Sequence, residues 1–317
     1  MSRYIRQTVL AEIGVAGQQR LAEAKVLVVG AGGLAAALLP LLAGAGVGQI
    51  TVLDPDLIED HNLHRQTFFT TDDLGKPKAL VMALRLLALN PDIWVTAHCM
   101  ALTPENADDL VAQADVVVDA ADSLMATYVL SDQCLSAGVP LISASVQGMA
   151  GYAGGFCASA PSYRALFPDP PGGEASCATA GVMGPVAALL GACQAQMVLA
   201  QLLGLAASPL GQLVRFDLTN YRSSTIRFDV AREPTSFPPF LSPRQLTPQD
   251  RVYDVRDACE APVIADFAQR LGHGVNPIVP ENGRLVFGCR SGLRAWRLAN
   301  LWAAQGVTRL GLMAFAP

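Results

Sequence analysis

Gly30-Ala31-Gly32-Gly33-Leu34-Ala35 has the residue types and spacing to hold a phosphate. Glycine at such positions lets an anion reach the backbone N–H groups at a helix N-terminus, where a side chain would block it. The motif follows a short unbroken apolar run, Lys25–Val29, and opens a helical stretch over 34–45. Asp54 ends the next apolar run and is placed to bind a ribose hydroxyl. These features fit a nicotinamide-dependent oxidoreductase and an ATP-using enzyme equally well. His61 and His64 lie three apart with no third ligand beside them, which speaks against zinc there.

The loop needs a scaffold, and the surrounding pattern supplies one. Apolar runs at Lys25–Val29, Gln49–Leu53, 93–98, 115–120 and 140–146 read as strands. Helical stretches over 34–45, 75–89, 104–112 and Leu124–Ala137 separate them, the third with Thr103 as a plausible N-cap. That alternation predicts a Rossmann-like, doubly wound α/β domain with a mostly parallel sheet. Glycines at 148, 151, 154 and 155 suggest a hairpin, and 213–218 with 223–230 reads as an antiparallel pair finishing the sheet. Five prolines between 232 and 249 look like a linker, so the expected domains are 1–231 and 250–317.

Composition narrows the classes. In 317 residues, 51% are hydrophobic and 15% charged, enough to bury a sizeable core. A net charge of −5 without a Lys/Arg cluster leaves no footprint for nucleic acid. Seven cysteines form no C-x-x-C pair, which suggests reduced thiols in a cytoplasmic protein. The segment 180–203 is long and apolar enough for a membrane span, but Gln194, Gln196 and Gln201 interrupt it. It is expected to be a helix buried in the core or in a subunit interface.

RYIRQTVLAEIG (3–14), GAGGLA (30–35), DPD (54–56), NLHRQ (62–66), GKPKA (75–79), DAADS (119–123) and SCATAGVMGP (176–185) follow one another along the chain. In these segments it resembles the MoeB/ThiF/HesA family, bacterial relatives of ubiquitin-activating enzymes. The resemblance implies ATP-dependent adenylation of the C-terminal glycine carboxylate of a ubiquitin-like sulphur-carrier protein ending in Gly-Gly. Such adenylation prepares the carrier for thiocarboxylation in molybdopterin, thiamine or thio-metabolite biosynthesis. It further implies that Gly30, Gly32 and Gly33 cradle ATP, that Arg65 and Lys78 bind its phosphates, and that Asp122 is associated with Mg²⁺. Asp54 and Asp56 match the ribose-side acidic pair, and Asn62 a polar residue lining the site. Arg6 matches an arginine that reaches the partner subunit's nucleotide in a homodimer, and Cys177 the family's reactive cysteine.

The chain departs from the family in several places. Ala35 replaces a glycine, and Asp122-Ser123-Leu124-Met125-Ala126-Thr127 replaces Asp-Asn-x-x-x-Arg. Those losses keep a catalytically weakened scaffold in view as an alternative. Ser162 and Ala165 stand where many relatives carry a zinc-binding cysteine pair, and 234–239 lacks the second pair, so no zinc is expected. Near the end, Cys289-Arg290-Ser291-Gly292-Leu293-Arg294 resembles the sulphur-carrying loop of a shortened rhodanese-like domain. If that loop works, Cys289 takes sulphur from a persulfide donor, with Arg290 and Arg294 favouring the thiolate.

Overall fold

The computed structural model describes residues 3–170, 181–272 and 274–315. They form two units, one of residues 1–102, 108–122 and 130–233, the other of 103–107, 123–129 and 234–317. The sequence expectation assigned 103–107 and 123–129 to the larger domain. Cys177 lies outside the described residues.

The larger unit is built on an eight-stranded sheet in the order β3-β2-β1-β4-β5-β6-β7-β8. Its strands are β1 (Lys25–Val29), β2 (Gln49–Leu53), β3 (Trp94–His98), β4 (Val116–Asp119) and β5 (Leu141–Gln147), all parallel. β6 (Ala150–Phe156), β7 (Gln212–Asp217) and β8 (Arg222–Arg227) then add antiparallel. The expected Rossmann-like α/β architecture is present, antiparallel end included. β1 and β4 are covered on both faces, which is why they read as unbroken apolar runs.

The apolar segment is the helix Gly184–Leu203, which is long and apolar enough by composition to cross a membrane. Its residues Val186, Leu190, Ala195 and Val198 sit in the main core. Gln194 is fully buried and donates through Nε2 to the carbonyls of Asp119 (2.8 Å) and Ile142 (3.4 Å). A polar residue inside an apolar helix thus serves the sheet's backbone. Gly191 lets this helix pack closely on the helix Ala35–Ala45, since a Cβ there would stand 2.2 Å from the Leu34 carbonyl oxygen.

Where the resemblance implies a metal-binding cysteine pair, the chain uses hydrogen bonds. Ser162 is buried and caps the short helix Tyr163–Leu166 by accepting from the Ala165 N–H (3.2 Å). Its own N–H and hydroxyl donate to the Glu233 carboxylate at 2.7 and 2.5 Å. This clasp ties the loop after β6 to the segment after β8. The adjacent Arg164 is buried and forms a two-pronged ion pair with Asp132 (2.6 and 2.9 Å). Ser162→Ala should cost about 1–2 kcal/mol of stability, as for hydrogen bonds to a charged acceptor partly open to water. The urea midpoint measures this, and an unchanged midpoint would show that the clasp holds nothing.

The smaller unit carries a four-stranded parallel sheet in the order β10-β9-β11-β12. Its strands are β9 (Arg251–Asp254), β10 (Ala268–Arg270), β11 (Leu285–Cys289) and β12 (Leu310–Ala314), and the helix Leu293–Ala304 packs against β11 and β12. The proline-rich stretch is not a free linker throughout. Phe240 and Leu241 are buried, and the Leu241 N–H and Pro239 carbonyl bond to Leu312 at the edge of β12. Apolar side chains among the prolines give that segment a face to bury.

Candidate functional site

In the order β3-β2-β1-β4-β5 the winding direction reverses between β1 and β4, and crevices at such points take ligands at the carboxyl ends of strands. The glycine loop leaves β1 at this point. Gly30 has φ +101°, and a Cβ on it would lie 2.5 Å from the Ala120 carbonyl oxygen and 2.8 Å from Ala121 N. The loop can therefore lie against the end of β4 only if residue 30 is glycine. Asp122 follows directly, exposed and without an ion pair among the described residues. Ser123, not Asp122, caps the helix Leu124–Ala137, its hydroxyl accepting from Ala126 N–H at 3.3 Å. Asp122 is therefore not the residue that caps this helix.

Asp54 directly follows β2 and is buried; its carboxylate accepts N–H bonds from Ala31 in the loop (2.7 Å) and from Asp56 (2.8 Å). Burial raises its pKa, while those two N–H groups and the Lys78 charge pull in the other direction without cancelling it. Asp54 thus fastens the glycine loop, and each oxygen keeps lone-pair capacity for a ribose hydroxyl. Asp56 lies two residues on, with its side chain mostly exposed and 2.8 Å from Lys78 Nζ.

Lys78 is the first residue of the helix Lys78–Leu89, which has no acidic residue in its first turn. A cation there opposes the helix dipole, so an anion beside it is needed, and in the free protein Asp56 fills that role. Backbone pairing holds the two together: Lys78 N–H donates to the Asp56 carbonyl (2.9 Å), and Leu57 pairs with Pro77. Lys78 is buried, whereas Lys76 is exposed and reaches Asp73 at 3.6 Å. Geometry therefore separates two lysines that spacing left close.

The 3₁₀ turn Asp60–Asn62 aims Arg65. Buried Asn62 accepts the Glu59 N–H (3.1 Å), a cap for the turn. Arg65 bonds the His61 carbonyl (3.0 Å) and contacts His64 Nε2 (2.8 Å), and its stem would lie 3.4 Å from a Cβ on Gly33. His64 is thus engaged with an arginine, and no group of metal-binding side chains occurs among the described residues.

The residues brought together are Gly30, Gly32, Gly33, Asp54, Asp56, Asn62, Arg65, Lys78 and, beside Ala121, Asp122. Arg6 is not among them. Its helix Ile5–Thr8 is anchored where Gln7 donates to the Ala45 carbonyl (3.0 Å) and where the Tyr4 hydroxyl accepts from Asn90 (2.8 Å). Ala45 and Asn90 precede β2 and β3, so exposed Arg6 lies toward the amino-terminal ends of these strands, opposite the carboxyl ends where the loop sits. A strand of this length spans about 16 Å.

Cys289 belongs to the smaller unit and is fully buried at the end of β11, with the Ala295 N–H 3.5 Å from its sulphur. Arg294 is paired with Glu260 (2.5 and 2.6 Å) and Arg256 with Asp254 (2.8 Å). Carboxylates thus offset two of the arginines near this thiol, while Arg290 beside it is exposed. One buried polar side chain at the loop had no role assigned from sequence: Gln66, the neighbour of Arg65 in NLHRQ.

A family model described as the ThiF family matches residues 4–236. The chain is 41% identical over 237 residues to a sulfur carrier protein adenylyltransferase of Thermus thermophilus, covering 72% of this chain and 88% of that protein. It is 40% identical over 232 residues to the sulfur carrier protein ThiS adenylyltransferase of Escherichia coli, covering 71% and 91%. Among solved structures, E. coli MccB is similar with a TM-score of 0.64 at 24% identity, over 74% of this chain and 72% of that one. That last likeness is one of fold. Neither named relative is an oxidoreductase, and the nicotinamide reading falls away. The family match stops at residue 236, so the rhodanese-like resemblance draws no support from it.

Proposed function

This chain belongs to the ThiF family, and we propose that it adenylates the C-terminal carboxylate of a ubiquitin-like sulphur-carrier protein ending in Gly-Gly. A carboxylate oxygen attacks the α-phosphorus of ATP. The new O–P bond forms as the bond from that phosphorus to the bridging oxygen breaks, and pyrophosphate leaves with the electron pair. Nucleophile and substrate are both anionic, so cations must offset the charge gathered in the transition state. The observation that carries the reading is the meeting of the glycine loop with Arg65 and the Asp56–Lys78 pair at the switch point.

In this reading the loop N–H groups and Arg65 hold the phosphates, and Lys78 exchanges its Asp56 partner for phosphate oxygen. Asp54 and Asp56 face the ribose side. Mg²⁺ fits the site as one carboxylate, Asp122, with substrate phosphates, and when bound it offsets phosphate charge. Arg6 acts on a second copy's nucleotide, because its own lies at the opposite ends of the strands; the working form is a homodimer. Cys177 and Cys289 are the two cysteines for the sulphur step. The buried position of Cys289 and the pairing of Arg294 and Arg256 with carboxylates favour a rhodanese-like loop that no longer transfers sulphur.

The test is pyrophosphate exchange into ATP in the presence of a panel of carriers ending in Gly-Gly. Exchange that requires both carrier and Mg²⁺ is expected. ATP binding without exchange against every carrier would instead mark a scaffold.

A further inference from the structure

Gln66 sits in the wall of the glycine loop with 3% of its surface exposed. Its backbone is committed: its N–H donates to the Asn62 carbonyl, and its carbonyl accepts from Phe69 N–H, both at 3.0 Å. The side chain is not. Oε1 is buried without a hydrogen-bond partner among the described residues. Among the described residues, Nε2 is the atom that comes within 4 Å of a Cβ built on Gly32, at 3.8 Å. A buried unpaired acceptor is costly, and an apolar side chain of the same length would avoid that cost. An amide at this place, with its N–H₂ end beside Gly32 of a phosphate-holding loop, is suited to a ligand rather than to packing.

We propose that Gln66 is a nucleotide-contacting residue whose Nε2 donates to a phosphate oxygen of ATP held over Gly32. This rests on the adenylation reading, for which the relevant oxygen is on the α-phosphate. The amide is neutral and keeps its protons throughout. It contributes direction: with Arg65 on the adjacent position, it fixes the phosphate by one charged and one uncharged donor.

Two variants test this. Gln66→Met keeps length and removes donor and acceptor; Gln66→Glu keeps shape but donates only when protonated. Calorimetric titration with a non-hydrolysable ATP analogue and Mg²⁺ reads Kd without any carrier, so failure of the carrier reading leaves this test intact. The expected result for Gln66→Met is Kd about tenfold weaker or more, with the ligand-free Tm unchanged or raised. Gln66→Glu should bind more tightly as pH falls through its carboxyl titration, relative to wild type at the same pH. Wild-type Kd in Gln66→Met would overturn the proposal. So would a weaker Kd accompanied by a lowered Tm and a Gln66→Glu profile parallel to wild type, which together describe a packing role.

Discussion

Lys78→Ala should lose carrier-dependent pyrophosphate exchange by about 10²-fold or more, the scale for removing one donor to developing charge. Lys78 is buried beside the phosphate loop, its amine 2.8 Å from Asp56. An ammonium in this position has little water around it, so its interaction with a phosphoryl group is screened weakly. Arg65→Ala should act in the same direction, since its stem borders Gly33. Lys76→Ala is the matched control: the same charge is removed two residues away, at an exposed position whose partner is Asp73. Near wild-type exchange is expected there. A wild-type rate in Lys78→Ala, or equal losses in both lysine variants, would refute the phosphate assignment.

Mixing Arg6→Ala with Lys78→Ala should restore activity to about a quarter of wild type, from two proteins that are each nearly inactive. Arg6 lies toward the amino-terminal ends of the strands, away from the loop of its own chain. If it serves the partner's site in a twofold dimer, random exchange of subunits makes about half the dimers mixed. Each mixed dimer has one site with both residues and one with neither. Activity in Arg6→Ala alone, or no recovery on mixing after verified subunit exchange, would place Arg6 outside the site. A monomer at micromolar concentration in solution scattering would contradict the arrangement itself.

How much was legible in the sequence follows from how local each feature is. β1, β2 and β4 read directly, because parallel strands buried on both faces leave unbroken apolar runs. The long apolar helix was readable as core, but not the reason for Gln194, whose partners are sheet carbonyls 75 and 52 residues away. β10 has three residues, and β12 carries a glycine, so neither makes a pattern. The motifs located Arg65 and Lys78, whereas the pairing of Lys78 with Asp56 spans 22 residues. The clasp between Ser162 and Glu233 spans 71. Sequence showed Ser162 and Ala165 in place of cysteines there, and not the bond to Glu233 that Ser162 makes. Gln66 stood within a quoted motif, but its unpaired oxygen is a property of the packed loop.

The most direct test of the central claim is exchange of labelled pyrophosphate into ATP, measured with the wild-type protein, Mg²⁺ and a carrier ending in Gly-Gly. The predicted result is exchange with the intact carrier and none with a carrier lacking its last two glycines, because the terminal glycine carboxylate is the nucleophile. Exchange that is independent of that carboxylate, or its absence with every intact carrier while ATP still binds, would contradict adenylation.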